Sequence, residues 1–260
     1  MRMRLRWWSW VVCLVVLVSL TACTTSEPTG TVPEGLADEP AALEETTPTP
    51  VDETAPGASE AAGRVTLAGM ATVEMQINGG TVVIEVDGTQ APVTAGNFVD
   101  LVERGVYDGV SFHRVVKSPE PFVVQGGDPQ SKDPSVSPQL WGTGSFIDPD
   151  TNEPRYIPLE ILPANGEMPI YGQTLQEANV TEPPALTHSR GAVAMARSQL
   201  ADSASAQFYF ALADLPFLDG SYAVFGYVTE GMDIIDAVEQ GDVIESATVV
   251  SGLENLQQPE

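Results

Sequence analysis

Apolar and polar residues alternate over residues 72–77 and again over 81–86, on either side of the tripeptide Asn78-Gly79-Gly80. Alternation with a period of two is typical of strands that bury one face, and an Asn-Gly pair is typical of a tight hairpin turn. The pattern predicts a β-hairpin at the start of a folded domain that begins near Ala71. Further short β-rich runs lie at residues 110–116, 122–128, 191–196, 207–211, 223–228 and 247–250.

Two stretches have helical spacing instead. The first begins at Pro92, a residue favoured in the first turn of a helix, and ends before Gly105, and the second covers residues 232–239. Because short strands outnumber helices, we predict a mainly β fold in which the sheet closes into a small barrel capped by the two helices. Residues 129–184 are rich in Pro, Gly, Asn and Ser, so we predict a long loop insertion that could serve as a flap.

The first residues have the pattern of an exported protein. Residues 1–22 combine three Arg with an apolar run that is short for a membrane span, which is typical of a secretory signal peptide. They lead into Leu20-Thr21-Ala22-Cys23, which resembles a bacterial lipobox. We therefore expect cleavage before Cys23 and a lipid on its thiol, which would anchor the protein to the bacterial cell envelope. The alternative is that Cys23 merely lies near an ordinary cleavage site.

The segment after Cys23 has an unusual composition. Between residues 24 and 63 there are nine acidic residues, six Pro and no Lys or Arg. Such a segment buries too little apolar surface to offset its ordering entropy, so we predict a solvated tether. The predicted organisation is a lipoprotein signal peptide (1–22), a lipidated Cys with its tether (23–70), a folded domain (71–251) and a C-terminal tail (252–260).

Charge and composition exclude several classes of function. Eleven Lys and Arg against 36 Asp and Glu give a net charge of −25, which repels phosphate backbones and argues against nucleic acid as a partner. Two His and two Cys provide too few ligands for a zinc site, and the carboxylates form no calcium-loop pattern. We therefore predict no metal and no cofactor.

Arg114 is a lone cation between apolar runs of the predicted strand pair at 110–128. Burying a cation without a partner is costly, so its side chain must face solvent or a concave, partly desolvated surface. On this stretch alone, an Arg paired with a carboxylate at the sheet rim is the simpler interpretation.

Several separated motifs, taken in order, resemble those of the cyclophilin family of peptidyl-prolyl isomerases over roughly residues 71–250. They are TAGNF at 94–98, YDGVSFHRV at 107–115, FVVQGGD at 122–128, GAVAMAR at 191–197, SAQFYF at 205–210, and FLDG at 217–220 followed by VFG at 224–226. The resemblance implies a closed eight-stranded antiparallel barrel, a helix over each end and a substrate groove on the outer face. It implies proline-containing polypeptides as partners and no cofactor.

The resemblance also assigns roles to individual residues. Arg114, Gln125 and Phe122 match catalytic positions. The positions that match substrate-binding residues are His113, Val123, Ala196, Arg197, Gln207, Tyr209, Phe217, Leu218 and Tyr222. Three of them depart from common family residues, because Tyr209 stands where Phe is frequent, and Phe217 and Tyr222 stand where many eukaryotic members have Trp and His. His188 is assigned no chemistry.

The expected chemistry is simple. Rotation about an X-Pro bond meets a barrier of about 18–20 kcal/mol from amide resonance, so a catalyst needs only to favour the twisted amide. Arg114 would donate to the prolyl nitrogen as resonance breaks, and would thereby bind the transition state better than the ground state. Because Arg stays protonated, a flat rate profile between about pH 6 and 8 is expected.

Two functions of different class remain open. The first is an isomerase that helps exported proteins fold. The second is a module that uses the same groove to hold proline-containing segments, as a chaperone or scaffold, with negligible turnover. A solute-capturing lipoprotein would need a two-lobed α/β chain, for which the sequence gives no support.

Overall fold

The computed structural model describes residue 61 and residues 63–259. The predicted signal peptide, Cys23 and most of the predicted tether lie outside the described residues. Within the described part of the chain, no helix is both long enough and apolar enough to cross a bilayer.

Short strands dominate the described residues. The strands are β1 (Thr66–Leu67), β2 (Met70–Ile77), β3 (Gly80–Asp87), β4 (Arg114–Val116), β5 (Val123–Gly126), β6 (Ile147–Asp148), β7 (Glu153–Pro154), β8 (Glu160–Ile161), β9 (Ile170–Tyr171), β10 (Ala192–Met195), β11 (Phe208–Ala211), β12 (Val224–Glu230), β13 (Ile244–Ser251) and β14 (Leu256–Gln257). The α-helices are α1 (Pro92–Glu103) and α2 (Met232–Ala237), and short 3-10 helices lie at Pro129–Lys132, Pro138–Leu140, Pro216–Leu218 and Leu253–Asn255.

The predicted hairpin is confirmed as the pair β2 and β3. The two strands pair from Met70 opposite Asp87 to Ile77 opposite Gly80. Asn78 and Gly79 form the turn with φ values of 52° and 72°. Positive φ at both turn positions matches the right-handed twist of the flanking strands, and Asn and Gly tolerate it best.

One antiparallel sheet contains eight strands in the order β13, β2, β3, β12, β10, β11, β5, β4. The prediction of a closed barrel is wrong, because the edge strands β4 and β13 do not pair and the sheet is a curled half-barrel. An isolated bridge between Ser111 and Val243, just before the two edge strands, links the edges. The predicted strand at 110–116 contributes only Arg114–Val116 to the sheet, so this edge is too short for a second ladder.

The hollow of the sheet is filled by apolar side chains and by α1. Phe98 of α1 lies in an aromatic cluster, with ring centroids 5.3 Å from Tyr107, 5.4 Å from Phe208 and 4.7 Å from Phe225. All four rings are completely buried. Packed aromatic rings of this kind bury large areas and keep the sheet rigid under the site.

The folded domain extends beyond the predicted bounds of 71 and 251. β1 pairs with β14, with Thr66 opposite Gln257 and Leu67 opposite Leu256, and Leu67 is fully buried. The pattern analysis placed these residues in the tether and the tail. A strand of two residues has no periodicity from which it could be recognised.

The insertion at 129–184 is largely irregular, with short 3-10 helices and the two-residue pairs β6 with β7 and β8 with β9. It is nevertheless packed. Leu159, Ile161 and Leu175 form a small apolar cluster with Ala223 of the main domain. Buried contacts of this kind indicate a fixed covering over one part of the sheet.

Candidate active site

A row of polar and aromatic side chains crosses three neighbouring strands. Arg114 of β4 lies opposite Gln125 of β5, and Gln125 lies opposite Tyr209 of β11. Residues directly opposite each other in a sheet project from the same face. Their neighbours Val124, Phe208 and Phe210 are fully buried on the other face. The alternation of each strand therefore places the site residues together on the face away from the aromatic core.

A cavity of about 200 Å³ lies beside this row. Nine of the predicted site residues line it: Arg114, Phe122, Val123, Gln125, Ala196, Arg197, Tyr209, Leu218 and Tyr222. They come from β4, β5 and β11, from the loop before β5 and from the segments that follow β10 and β11. The structure therefore brings these nine residues together, whereas their catalytic and binding roles stay predictions.

The Arg114 side chain is exposed at the rim of this cavity. Its guanidinium carbon lies 5.3 Å from the centroid of the Phe122 ring, and its Nη1 donates to Gln125 Oε1 at 3.3 Å. No described carboxylate forms an ion pair with it. The simpler interpretation, an Arg neutralised at the sheet rim, is therefore not what the described part of the chain shows.

A chain of amide hydrogen bonds runs from Arg114 into the insertion. Gln125 Nε2 donates to Gln207 Oε1 at 3.3 Å, and Gln207 Nε2 donates to the carbonyl oxygen of Gly144 at 2.8 Å. Each Gln thus uses its oxygen toward one neighbour and its nitrogen toward the next. This directionality fixes the Gln125 oxygen toward the guanidinium of Arg114.

A second cavity, of about 600 Å³, adjoins the first and shares Gln125, Ala196 and Arg197 with it. Gln207 and residues 142–145 of the insertion line this larger space. No residue of the insertion lines the smaller cavity. The insertion therefore borders the groove without covering the cavity beside Arg114.

Arg197 lines both cavities, and backbone carbonyl groups hold its side chain in place. Its Nε and Nη2 donate to the carbonyl oxygen of Ser221 at 3.0 and 2.7 Å, and its guanidinium carbon lies 4.7 Å from the Tyr222 ring centroid. A long side chain loses rotamer entropy when it is held in one position, and these contacts offset that loss.

Residues 72–254 match the family model described as cyclophilin type peptidyl-prolyl cis-trans isomerase/CLD. The chain belongs to the cyclophilin family. Over 200 residues this cyclophilin is 43% identical to a putative thylakoid lumen peptidyl-prolyl cis-trans isomerase of Synechocystis sp., which covers 73% of this chain and 49% of that relative. It is also 33% identical over 190 residues to a peptidyl-prolyl cis-trans isomerase of Helicobacter pylori, covering 72% of this chain and 91% of the relative.

The chain spans about half the length or less of the first curated relatives it matches, 49% of the Synechocystis protein and 39% of a chloroplastic isomerase of Arabidopsis thaliana. Its fold is similar to the crystal structure of a Cryptosporidium parvum cyclophilin, with a TM-score of 0.52 and 23% identity, covering 70% of this chain and 98% of that one. A second crystal structure of that protein, similar to this chain at 24% identity, was obtained in the presence of the dipeptide Ala-Pro.

Three predicted site residues of this cyclophilin do not line the smaller cavity: Gln207, which lines the larger one, and Phe217 and His113. Phe217 is 69% exposed and stacks on Phe122, with 6.0 Å between ring centroids, so it extends the apolar rim. His113 lies beneath the insertion, where a Cβ on Gly142 would approach its Cδ2 to 2.9 Å. Both ring nitrogens of His113 are buried without a hydrogen-bond partner, and burial lowers the pKa of this ring. The His113 ring is therefore packed beneath the insertion next to Arg114, and its role in substrate binding stays a prediction.

The sequence did not predict that His188 lies next to the candidate site. Its ring is almost completely buried behind the smaller cavity, where it contacts Asp219 at 2.8 Å and the hydroxyl of Tyr209 at 3.0 Å. The departure from Phe at Tyr209 was the available signal, because a buried tyrosine hydroxyl needs a hydrogen-bond partner. Burial also raises the pKa of Tyr209, so its hydroxyl stays protonated.

No three His, Cys, Asp or Glu side chains are arranged to hold a metal ion within residues 61 and 63–259. The sequence-based expectation of no metal and no cofactor therefore stays a prediction.

Proposed function

We propose that this cyclophilin catalyses the cis–trans isomerisation of X-Pro bonds in exported polypeptides. The observation that carries the proposal is the exposed Arg114 guanidinium, without a described carboxylate partner, at the rim of a cavity walled by Phe122, Tyr209 and Leu218. This arrangement offers one strong donor beside an apolar space. The Ala-Pro dipeptide used with the Cryptosporidium structure is the kind of ligand that such a space suits.

The proposed mechanism requires no nucleophile, base or cofactor. The apolar walls hold the prolyl ring while the amide rotates against a barrier of about 18–20 kcal/mol. As the nitrogen loses conjugation it gains a lone pair, to which the Arg114 guanidinium donates. Because this lone pair exists only near the transition state, the interaction lowers the barrier without tightening ground-state binding.

Gln125 and the residues beside it would orient both partners. Its hydrogen bond to Arg114 limits the directions that the guanidinium can take. The residue before proline would lie along Ala196 and Arg197. The N–H of Ala196 already donates to the carbonyl oxygen of Gln207 at 2.9 Å, so a bound peptide would contact other polar groups of this segment.

The deciding experiment replaces Arg114 with Ala and measures isomerisation of a proline tetrapeptide in a protease-coupled assay. We expect kcat/KM to fall by about 10²–10³-fold, the usual cost of removing one transition-state donor. Arg104→Ala is the matched control, because Arg104 is a partly exposed arginine that lines neither cavity of the groove. The control should keep the full rate.

The assay also separates this proposal from the binding-module alternative. If the unaltered chain binds proline peptides but accelerates isomerisation no more than the Arg114→Ala variant does, the isomerase proposal is wrong and a holding function remains.

We also propose that the protein is exported and attached to the cell envelope through a lipid on Cys23. The support is the lipobox-like sequence that ends at Cys23. By their names, one relative is a thylakoid lumen protein and another is a chloroplast protein, and both compartments are reached by transport across a membrane.

A further inference from the structure

The ring of His188 links two walls of the smaller cavity. Its Nδ1 lies 2.8 Å from Asp219 Oδ1, and its Nε2 lies 3.0 Å from the hydroxyl oxygen of Tyr209. The His188 and Tyr209 rings are nearly parallel, with centroids 6.1 Å apart. His188 is only 2% exposed. It does not line the cavity, so any effect on a bound peptide must pass through its partners.

The backbone of His188 also holds the turn that supplies the opposite wall. Its carbonyl oxygen accepts from the N–H of Leu215 at 2.7 Å, immediately before the 3-10 helix Pro216–Leu218. Its own N–H donates to Asp219 Oδ1 at 2.8 Å, immediately after that helix. One residue thus fixes both ends of the short helix that carries Phe217 and Leu218.

The contacts of His188 select one form of the imidazole. A carboxylate only accepts hydrogen bonds, so Nδ1 carries the proton that is donated to Asp219. Nε2 is then a lone-pair acceptor for the Tyr209 hydroxyl, as in other His side chains whose tautomer is set by a carboxylate. Burial lowers the pKa of His188, against the opposing effect of Asp219, and this favours the neutral ring.

We propose that His188 is a positioning residue for the isomerase site, which holds Tyr209 and the Phe217–Leu218 turn at the separation that fits a prolyl ring. The inference rests on the proposed function and adds a residue to it. It also explains the presence of the Tyr209 hydroxyl, because Phe at this position could not form a hydrogen bond with His188.

Positioning of this kind predicts a particular kinetic signature. The walls contact the prolyl ring before and during rotation, so loosening them weakens ground-state and transition-state binding alike. Loss of such uniform binding raises KM and leaves kcat nearly unchanged. Loss of the Arg114 donor should instead lower kcat and leave KM nearly unchanged, because the guanidinium acts mainly on the twisted amide.

The test is a double-substitution cycle of His188→Asn and Tyr209→Phe, measured on the full chain. Asn retains a donor near the Nδ1 position, so the contact with Asp219 is kept, but its side chain is too short to reach Tyr209. We expect His188→Asn to raise KM about five- to tenfold, with kcat within about twofold. In the Tyr209→Phe background the same substitution should change KM by less than about twofold, because the bond is already absent.

Ser189→Ala is the matched control, since Ser189 is the neighbouring residue and lines neither cavity. Two results would overturn the inference: an equal rise in KM with and without the Tyr209 hydroxyl, which indicates a general structural role, or an unchanged KM in the single variant.

Nitrogen-15 NMR of the imidazole rings provides a test that does not depend on the folding of a variant. The chain has two His, so few signals need assignment. The inference requires that His188 is protonated at Nδ1 and unprotonated at Nε2, and a proton on Nε2 in the unaltered protein would overturn it. An inactive unaltered chain would instead overturn the proposed isomerase function, while the ring nitrogens would still report on the bond to Tyr209.

Discussion

The residues of the groove differ in how well their positions could be predicted from the sequence. Arg114, Gln125 and Tyr209 could be assigned to one groove because their motifs resemble those of the cyclophilin family, and the pairing of their strands places them on a common face. His188 could not, because its partners Tyr209 and Asp219 are 21 and 31 residues away along the chain. His113 adjoins Arg114 in sequence, but its ring packs beneath Gly142, a placement that the sequence did not predict.

The charge states of these residues predict how the rate responds to pH. Burial lowers the pKa of both His113 and His188 from the ordinary value of 6.5. The guanidinium group of arginine is protonated at any physiological pH. Neither His gains a proton between about pH 6.5 and 8, so kcat/KM should be flat over this range. A bell-shaped profile in the peptide assay would contradict the mechanism.

The same pKa direction has a consequence for stability. A His whose pKa is lower in the folded than in the unfolded protein stabilises the fold when neutral, at pH values above its unfolded pKa. This contribution is lost as the pH falls below about 6.5, the unfolded value. The pH range in which kcat/KM is flat therefore ends near pH 6.5, where the fold that positions Tyr209 begins to lose stability.

At the scale of elements, local pattern predicted the parts that are locally determined. The hairpin of β2 and β3 follows from alternation and from its turn residues. The start of α1 at Pro92 also follows from local pattern, but the capping of its N-terminus does not, because its N-cap residue, Ala91, makes no side-chain hydrogen bond. Glu160 of the insertion accepts from the N–H groups of Val93 at 3.1 Å and Thr94 at 2.7 Å, from more than sixty positions along the chain. No short stretch of the sequence contains both Glu160 and the first turn of α1, so local pattern could not predict this contact.

The carboxylate of Glu160 makes this contact testable. It is 1% exposed and also accepts from the Tyr171 hydroxyl at 2.9 Å; burial raises its pKa, although these hydrogen bonds oppose the rise. Glu160→Gln replaces one acceptor oxygen with a donor that faces a backbone N–H or the tyrosine hydroxyl. We expect the free energy of unfolding to fall by about 1–3 kcal/mol in urea denaturation.

The control for this substitution is Glu153→Gln, at an exposed position of the same insertion. It should change the free energy of unfolding by less than about 0.5 kcal/mol. Equal stability of the two variants would show that Glu160 does not cap α1.

At the scale of the whole molecule, composition predicted the net charge but not how it is distributed. The chain carries −25, yet two arginines, Arg114 and Arg197, line the smaller cavity. The prediction of a closed barrel failed at this scale too, because closure depends on whether two distant edges are long enough to pair. No local pattern reports the length of both edges.

The proposed anchor belongs to the same scale and has a direct test. Cells that express the chain and take up a labelled fatty acid should place the label on the protein, and Cys23→Ser should abolish labelling. Cys13→Ser is the control, because Cys13 lies within the predicted signal peptide and its loss should leave labelling intact. Label that persists in the Cys23→Ser variant would refute the anchor.

The pairing of β1 with β14 brings the two ends of the folded part next to each other, with Thr66 opposite Gln257. A short peptide could join these ends, and the gene could then be reopened at an exposed loop far from Arg114. Such a circularly permuted chain would keep every strand contact of the groove and would move the proposed membrane attachment to a different point on the surface. The direction in which the groove faces relative to a bilayer is therefore a property that can be engineered separately from its chemistry.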